Sequence, residues 1–307
     1  MRRTIAVGTR ASKLAIIQAE SVVAKLKEVV PGLDARLVKI VTRGDRESTA
    51  ALDKFAGQGV FVRELERALL DSKIDVAVHS LKDLPTEIPG RLSLAAVTAR
   101  LDPRDVLVSR AGSLADLAPG SKIGTGSLRR SVQLLAYRSD LEICEIRGNI
   151  DTRLGKVTQG EFDGVIIAAA ALIRLGWEDK ITEYLPADHF VPAVGQGALG
   201  LEIRSDDTET AELVSQANHE PTWQSVTAER AFLQALGGGC RAPIAALGIV
   251  SGVTLRLDGM VAGASGGHIL RGSEEGDALA PEKVGTCLAQ KMVEMGAPDL
   301  MAEAETQ

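Results

Sequence analysis

An apolar strand pattern that runs through a Gly-Thr turn into a helical pattern occurs twice in this chain of 307 residues. The first is Ile5-Ala6-Val7-Gly8-Thr9-Arg10, followed by Leu14, Ile17, Ala19, Val22 and Leu26, spaced mostly three to four residues apart as on one helix face. The second is Lys122-Ile123-Gly124-Thr125-Gly126, followed by a predicted helix over 128–137. Each is then followed by a strand pattern (35–41 and 142–146), a helical pattern (61–70 and 153–159) and a short apolar strand (74–78 and 165–169). The identities are too unlike for a sequence repeat, yet the order predicts two α/β halves of similar topology with parallel-type connections. Such halves place ligands in the cleft between them, near the C-terminal ends of strands. Three polar motifs fall at such ends, in residues 8–12, 80–83 and 124–130.

The texture changes near residue 219. A helix is predicted over 222–236, with Trp223, Val226, Phe232, Leu233 and Leu236 available for one face, and Gly237-Gly238-Gly239 ends it before Cys240. Three strand patterns follow, separated by Ser251-Gly252 and Ser265-Gly266-Gly267, and read as an antiparallel meander. Residues 281–295 read as a closing helix with Pro281 in its first turn. These elements predict a third, α+β domain, in keeping with a length beyond what one hydrophobic core usually supports.

Composition removes several functions. Basic residues number 35 against 41 acidic, a net charge of -6, and aromatics are 3%. Neither a global positive field nor a platform of stacking rings is present, so nucleic-acid binding is not expected. No apolar run reaches the ~18 residues of a membrane span. Met1-Arg2-Arg3 leads directly into a strand pattern without an apolar signal segment, so the cytoplasm is the expected compartment. Cys144, Cys240 and Cys287 are far apart, and His79, His189, His219 and His268 are scattered, so neither a disulfide framework nor a metal site is expected.

Gly124-Thr125-Gly126-Ser127-Leu128-Arg129-Arg130 brings backbone N–H groups, hydroxyls and two guanidiniums to a helix start, a natural anion site. Two arginines in a first turn oppose the helix dipole, which a counter-anion would explain; a solvated basic face is the alternative. In Ser80-Leu81-Lys82-Asp83-Leu84-Pro85, an extended backbone would point Lys82 and Asp83 to opposite sides, one toward a cleft; a corner with a solvated ion pair is the alternative. Cys240 follows three glycines at a helix end whose dipole disfavours a thiolate, so it is either a buried thiol or something other than a resting nucleophile. Asp102-Pro103-Arg104-Asp105 reads as an interdomain linker.

These motifs, together with Gly8-Thr9-Arg10-Ala11-Ser12, Val41-Thr42-Arg43-Gly44-Asp45, Arg147-Gly148-Asn149 and Ala193-Val194-Gly195-Gln196-Gly197-Ala198, resemble the hydroxymethylbilane synthase (porphobilinogen deaminase) family in order and spacing along nearly the whole chain. The resemblance implies two periplasmic-binding-protein-like α/β domains around a hinged cleft, residues 1–99 with 199–217 and residues 103–193. A smaller α+β domain with a three-stranded antiparallel sheet, residues 219–307, would carry the cofactor. The implied enzyme is a monomeric transferase of tetrapyrrole biosynthesis that adds four porphobilinogen molecules, each losing ammonia, to a dipyrromethane held by a thioether to Cys240, and then releases hydroxymethylbilane by hydrolysis. By the same resemblance Asp83 is catalytic, stabilising positive charge at pyrrole nitrogen. Ser80, Lys82, Thr125, Ser127, Arg129, Arg130 and Arg147 bind the cofactor, while Arg10, Ser12, Lys54, Arg147, Arg153 and Gln196 bind substrate. Gln58 departs from the family, where lysine is common. The competing reading is a cleft-type solute-binding protein for a polycarboxylate, against which the missing signal segment and the Gly-Gly-Gly-Cys domain argue.

Overall fold

The computed structural model describes residues 4–40, 62–238, 243–263 and 268–305. Lys54, Gln58, Cys240 and the motif at 41–45 lie outside the described residues. The chain divides into two compact units, residues 1–101 with 198–223 and residues 102–197 with 224–307.

The first unit is built on β1 (Thr4–Arg10), helix α1 (Lys13–Val29), β2 (Asp34–Ile40), helix α2 (Arg63–Leu70), β3 (Val76–Ser80) and β4 (Leu92–Val97). The side-chain period of two decides which helix covers which face. Ile5, Val7, Val76 and Val78 point to one face and pack on Ala19, Val22 and Leu26 of α1. Ala6 and Ala77 point to the other and pack on Leu65, Ala68 and Leu69 of α2. Both helices thus bury an apolar stripe against one sheet, which is what makes their formation favourable.

The second unit begins with β5 (Asp105–Ser109) and continues through β6 (Lys122–Gly124), helix α3 (Leu128–Tyr137), β7 (Glu142–Cys144), helix α4 (Ile150–Gln159), β8 (Gly164–Ala168), helix α5 (Ala169–Leu175) and β9 (Glu183–Tyr184). Alternation again splits its core. Leu107, Ile123 and Ile166 face Leu134 of α3, and Val106, Val165 and Ile167 face Val157 and Leu172. The chain then returns to the first sheet as β10 (Leu199–Arg204), antiparallel to both β3 and β4. The first sheet runs β2-β1-β3-β10-β4 and the second β7-β6-β8-β5-β9. In each, three parallel strands are followed by one reversed strand and an edge strand, so the two halves share a topology.

Helix α6 (Thr208–Ser215) and helix α7 (Glu220–Ala235) lead to β11 (Ile244–Ser251), β12 (Thr254–Ala262) and β13 (Ile269–Asp277), a three-stranded antiparallel meander. Helices α8 (Pro281–Glu294) and α9 (Ala297–Glu305) close the chain. One face of the meander packs Leu255, Leu257 and Val261 on Phe232 of α7 and Leu288 of α8. The other face packs Ala245, Leu247 and Met260 on Val132 of α3. Gly285 lets α7 and α8 touch backbone to backbone: a Cβ there would come within 2.3 Å of the Ala228 carbonyl oxygen. Among the described residues no helix is long and apolar enough to cross a membrane.

Candidate functional site

In the first unit the sequence-predicted residues gather at the C-terminal ends of β1 and β3, which run parallel. Arg10 ends β1, and Ser12 is the N-cap of α1, accepting a long 3.4 Å hydrogen bond from the Ala15 N–H. Ser80 ends β3, and its hydroxyl is cradled by the buried Gln18 amide of α1, with Nε2 to Oγ at 2.9 Å and Oγ to Oε1 at 3.2 Å. Beyond Ser80 the chain turns a corner, as one of the two readings of this motif has it, and is not extended. Leu81–Asp83 form a single 3-10 turn, closed by the Leu84 N–H donating to the Leu81 carbonyl. At three residues per turn, Lys82 and Asp83 diverge by about 120° and not 180°. Lys82 is half-buried and Asp83 exposed, so the carboxylate projects from the turn while Leu81 and Leu84 anchor it in the core.

In the second unit, β6 ends at Gly124 and the Thr125 hydroxyl accepts from the Ser127 N–H at 3.2 Å. Ser127 is the N-cap of α3 by position but makes no side-chain capping bond, and no acidic residue occupies the first turn. Arg129 and Arg130 are buried, at 5% and 8% exposure, and converge on Asp105, the first residue of β5. Arg129 Nη2 donates to Asp105 Oδ2 at 2.8 Å and its Nη1 to the Val191 carbonyl at 2.7 Å. Arg130 Nη2 donates to Asp105 Oδ1 at 2.6 Å and its Nη1 to the Ile166 carbonyl at 3.1 Å. The buried Gln196 side chain donates to the same Oδ1 at 2.8 Å and to the Pro103 carbonyl at 2.7 Å. Burial opposes ionisation of Asp105, but Arg129, Arg130 and the hydrogen bonds from Arg130 and Gln196 outweigh it and hold the carboxyl well below the usual carboxylate range.

The counter-anion that two first-turn arginines call for is therefore internal in part. One carboxylate faces two guanidiniums, and Arg130 Nε stays buried with no hydrogen-bond partner among the described residues. Arg153, on α4, donates from Nε to the Gly148 carbonyl at 2.8 Å, and its guanidinium is pushed down by burial and then by Arg130. Asn149 caps α4, accepting from the Thr152 N–H at 2.9 Å, while the Arg147 Nε pairs with Glu145 at 2.8 Å near the surface. Among the described residues, the guanidiniums of Arg129, Arg130 and Arg153 thus outnumber the one carboxylate of Asp105, and one donor, Arg130 Nε, finds no acceptor.

Sequence reading missed three residues here. Asp105 passed for part of a linker, although the apolar run from Val106 to Val108 marks it as the start of a strand. Arg174, near the end of α5, donates to the Gly197 carbonyl at 2.7 Å, and burial pushes it down to about 10. Its position in an Ala/Leu/Ile-rich helix was the available signal. Gln18 sits inside an apolar helical face and carried no signal of its partner.

An orphaned guanidinium nitrogen beside surplus buried positive charge fits a ligand bearing several carboxylates, and with the paired α/β sheets it defines an α/β protein for a polyanionic small molecule. The comparisons narrow the class. Residues 5–212 match the family model "Porphobilinogen deaminase, dipyromethane cofactor binding domain" and residues 223–294 match "Porphobilinogen deaminase, C-terminal domain". The porphobilinogen deaminase of Alkaliphilus metalliredigens is 47% identical over 305 residues, covering 99% of this chain and 96% of that protein. That of Pelotomaculum thermopropionicum is 49% identical over 308 residues, covering 100% of this chain and 99% of that protein. The chain belongs to the porphobilinogen deaminase (hydroxymethylbilane synthase) family, transferases of tetrapyrrole biosynthesis that carry a dipyrromethane cofactor. Among solved structures, the methionine-binding protein MetQ aligns with a TM-score of 0.46 at 17% identity over 72% of this chain and 90% of that chain; the architecture above is defined by strand order and not by that likeness.

Proposed function

We propose that this chain joins four porphobilinogen molecules, each with loss of ammonia, onto a dipyrromethane anchored by a thioether to Cys240, and releases the linear product by hydrolysis. The observation that carries this reading is the surplus of buried guanidinium charge around Arg130, whose Nε has no partner among the described residues. Every porphobilinogen unit brings an acetate and a propionate, so cofactor and growing chain are polycarboxylates that such donors suit. Arg129, Arg130, Arg147, Thr125, Ser127, Lys82 and Ser80 hold the cofactor. Arg10, Ser12, Arg147, Arg153, Gln196 and Lys54 bind substrate, and Arg174 joins them. When bound, the dipyrromethane supplies a free pyrrole α-carbon as the point of growth.

Asp83 does the electrostatic work. Positive charge develops near pyrrole nitrogen as ammonia leaves and as each new bond forms, and a carboxylate accepting from that N–H stabilises it. Its exposed place on the turn allows this approach. Gln196 and Arg129 also support the site through Asp105, to which both donate hydrogen bonds. We further assign three domains, residues 1–99 with 199–217, 103–193 and 219–307, acting as a monomer in the cytoplasm without nucleic acid or membrane as partner.

The test is the denatured intact mass of the wild-type protein and of Cys240→Ala. An excess equal to two porphobilinogen units minus two ammonias in the wild type alone is expected. If neither protein carries it, before or after incubation with porphobilinogen, the anchor is wrong.

A further inference from the structure

The two residues that end β3 are gripped from opposite faces of the first sheet. Ser80 points to the α1 face, where the buried Gln18 amide both donates to and accepts from its hydroxyl. His79 points to the α2 face, where its Nε2 lies 2.9 Å from Glu202 Oε2 of β10. The His79 and Glu202 side chains are 3% and 0% exposed, and Glu202 Oε1 has no hydrogen-bond partner among the described residues. One residue further the ladder gives its last bond, from the Leu81 N–H to the Ala198 carbonyl at 3.0 Å, and the turn bearing Lys82 and Asp83 begins.

The β3–β10 backbone ladder pairs these strands without help from side chains. A buried His–Glu pair with an unsatisfied oxygen is a poor way to gain stability, and apolar residues of similar volume usually do as well or better. A part-buried Gln–Ser pair is likewise dispensable for packing. What the two pairs do add is orientation: bonds on both faces remove the twist and tilt that apolar contacts leave to a strand end. The turn beyond is the lever they control.

We propose that Gln18 and Glu202 are positioning residues for Asp83, clamping Ser80 and His79 so that the turn presents its carboxylate in one orientation. This rests on Asp83 being the catalytic carboxylate. Reacting groups displaced by about 1 Å can lose on the order of 100-fold in rate, so loosening the clamp lowers kcat, while the side chains assigned to substrate binding in both units keep their places and with them KM.

The experiment compares Gln18→Leu, the double variant His79→Leu/Glu202→Leu, and Asp83→Ala in the full-length, cofactor-loaded enzyme. It reads kcat and KM with porphobilinogen, thermal midpoint and intact mass. Expected for both clamp variants is a kcat lower by roughly 10- to 100-fold, with KM within twofold, the covalent pyrrole mass retained and the midpoint unchanged or raised. A wild-type kcat in both, with Asp83→Ala inactive, overturns the clamp and leaves the role of Asp83 standing. Lost pyrrole mass also overturns it, because the defect is then in cofactor assembly. A wild-type kcat in Asp83→Ala overturns the underlying reading instead. Should the double variant not fold, Gln18→Leu decides alone.

Discussion

The two units hold their functional side chains in opposite ways. In the first, the acid is outside and its support is inside: Asp83 is exposed on a three-residue turn, beside the part-buried pair of Gln18 with Ser80 and the buried pair of His79 with Glu202. In the second, the functional charges are themselves buried, and Arg129 and Arg130 share one buried carboxylate. The difference separates two demands. A group that must meet a sequence of different rings is best left accessible, whereas groups that must hold a polyanion gain strength from a low dielectric and need an internal anion to fold at all. It follows that function and stability can be taken apart in the first unit but not in the second.

The strongest attempt to break that contrast is Asp105→Asn. It keeps the shape and leaves two buried guanidiniums without their anion, a loss of about 3–5 kcal/mol. A marked fall in thermal midpoint is expected, together with loss of the covalent pyrrole mass. The pH dependence has a definite sign. The folded-state carboxyl lies well below its unfolded value, so its stabilisation is present above about pH 4 and fades as the pH falls through the folded value. The deficit of Asp105→Asn is therefore full at neutral pH and shrinks in acid. A variant as stable as wild type at pH 7 would show that the arginines do not depend on Asp105.

Asp83→Ala is the complementary change. Removing one preorganised electrostatic partner costs about 2.7–4 kcal/mol of transition-state stabilisation, a factor of roughly 10²–10³ in kcat. Stability should stay within about 0.5 kcal/mol of wild type, as for an exposed side chain outside any packing or hydrogen-bond network. If the thermal midpoint drops along with kcat, the two units are alike after all and the contrast fails.

How far this arrangement was legible in the sequence follows the same division. Periodicity located the elements that bury one face: the helix expected over 128–137 is Leu128–Tyr137, and the one expected over 281–295 is Pro281–Glu294. The similar order of the two halves emerges as two sheets of matching topology. The motif alone left extended and corner geometries open where local hydrogen bonding decides, as at Leu81–Asp83, where the Leu84 N–H closes a 3-10 turn. Polar partners distant in sequence left no trace: Asp105 and Arg130 are 25 residues apart, Gln18 and Ser80 are 62 apart, and His79 and Glu202 are 123 apart. Such pairs depend on strand order, which composition and spacing do not encode. The motifs disclosed where polar residues cluster, but not which of them spend their bonds on one another.

A smaller effect sharpens the comparison within the first unit. Ser12 is expected to bind substrate, yet its hydroxyl also serves as the N-cap acceptor of α1. Ser12→Ala should cost about 0.5–1 kcal/mol through the lost cap, toward the low end because the bond is long. Ser12→Asn keeps a good cap and should restore stability. A thermal midpoint that recovers in Ser12→Asn while KM stays raised assigns the hydroxyl to the ligand as well, and recovery of both confines it to the helix.

The smallest effect is at Glu66, half-buried on α2 and facing the His79–Glu202 pair. Its carboxyl is raised above the usual value by burial and then by Glu202, against weaker pulls from His79 and Arg63. A raised carboxyl destabilises the fold once ionised. Well below the ordinary value of about 4.3 both folded and unfolded chains are protonated and nothing is lost; as pH rises through the folded value the penalty grows to its full size. Glu66→Gln removes the charge without changing the shape. It should therefore stabilise at neutral pH, by about 0.5 kcal/mol, with the gain shrinking toward nothing as the pH falls below about 4, measured as thermal midpoint across that range. Because Glu66 lies beneath the strand end and not on the turn, kcat should not follow the midpoint. A kcat that changes in step with it would mean that the support under Asp83 senses charge as well as geometry, and the exposed acid would then be less independent of its buried frame than the contrast between the units requires.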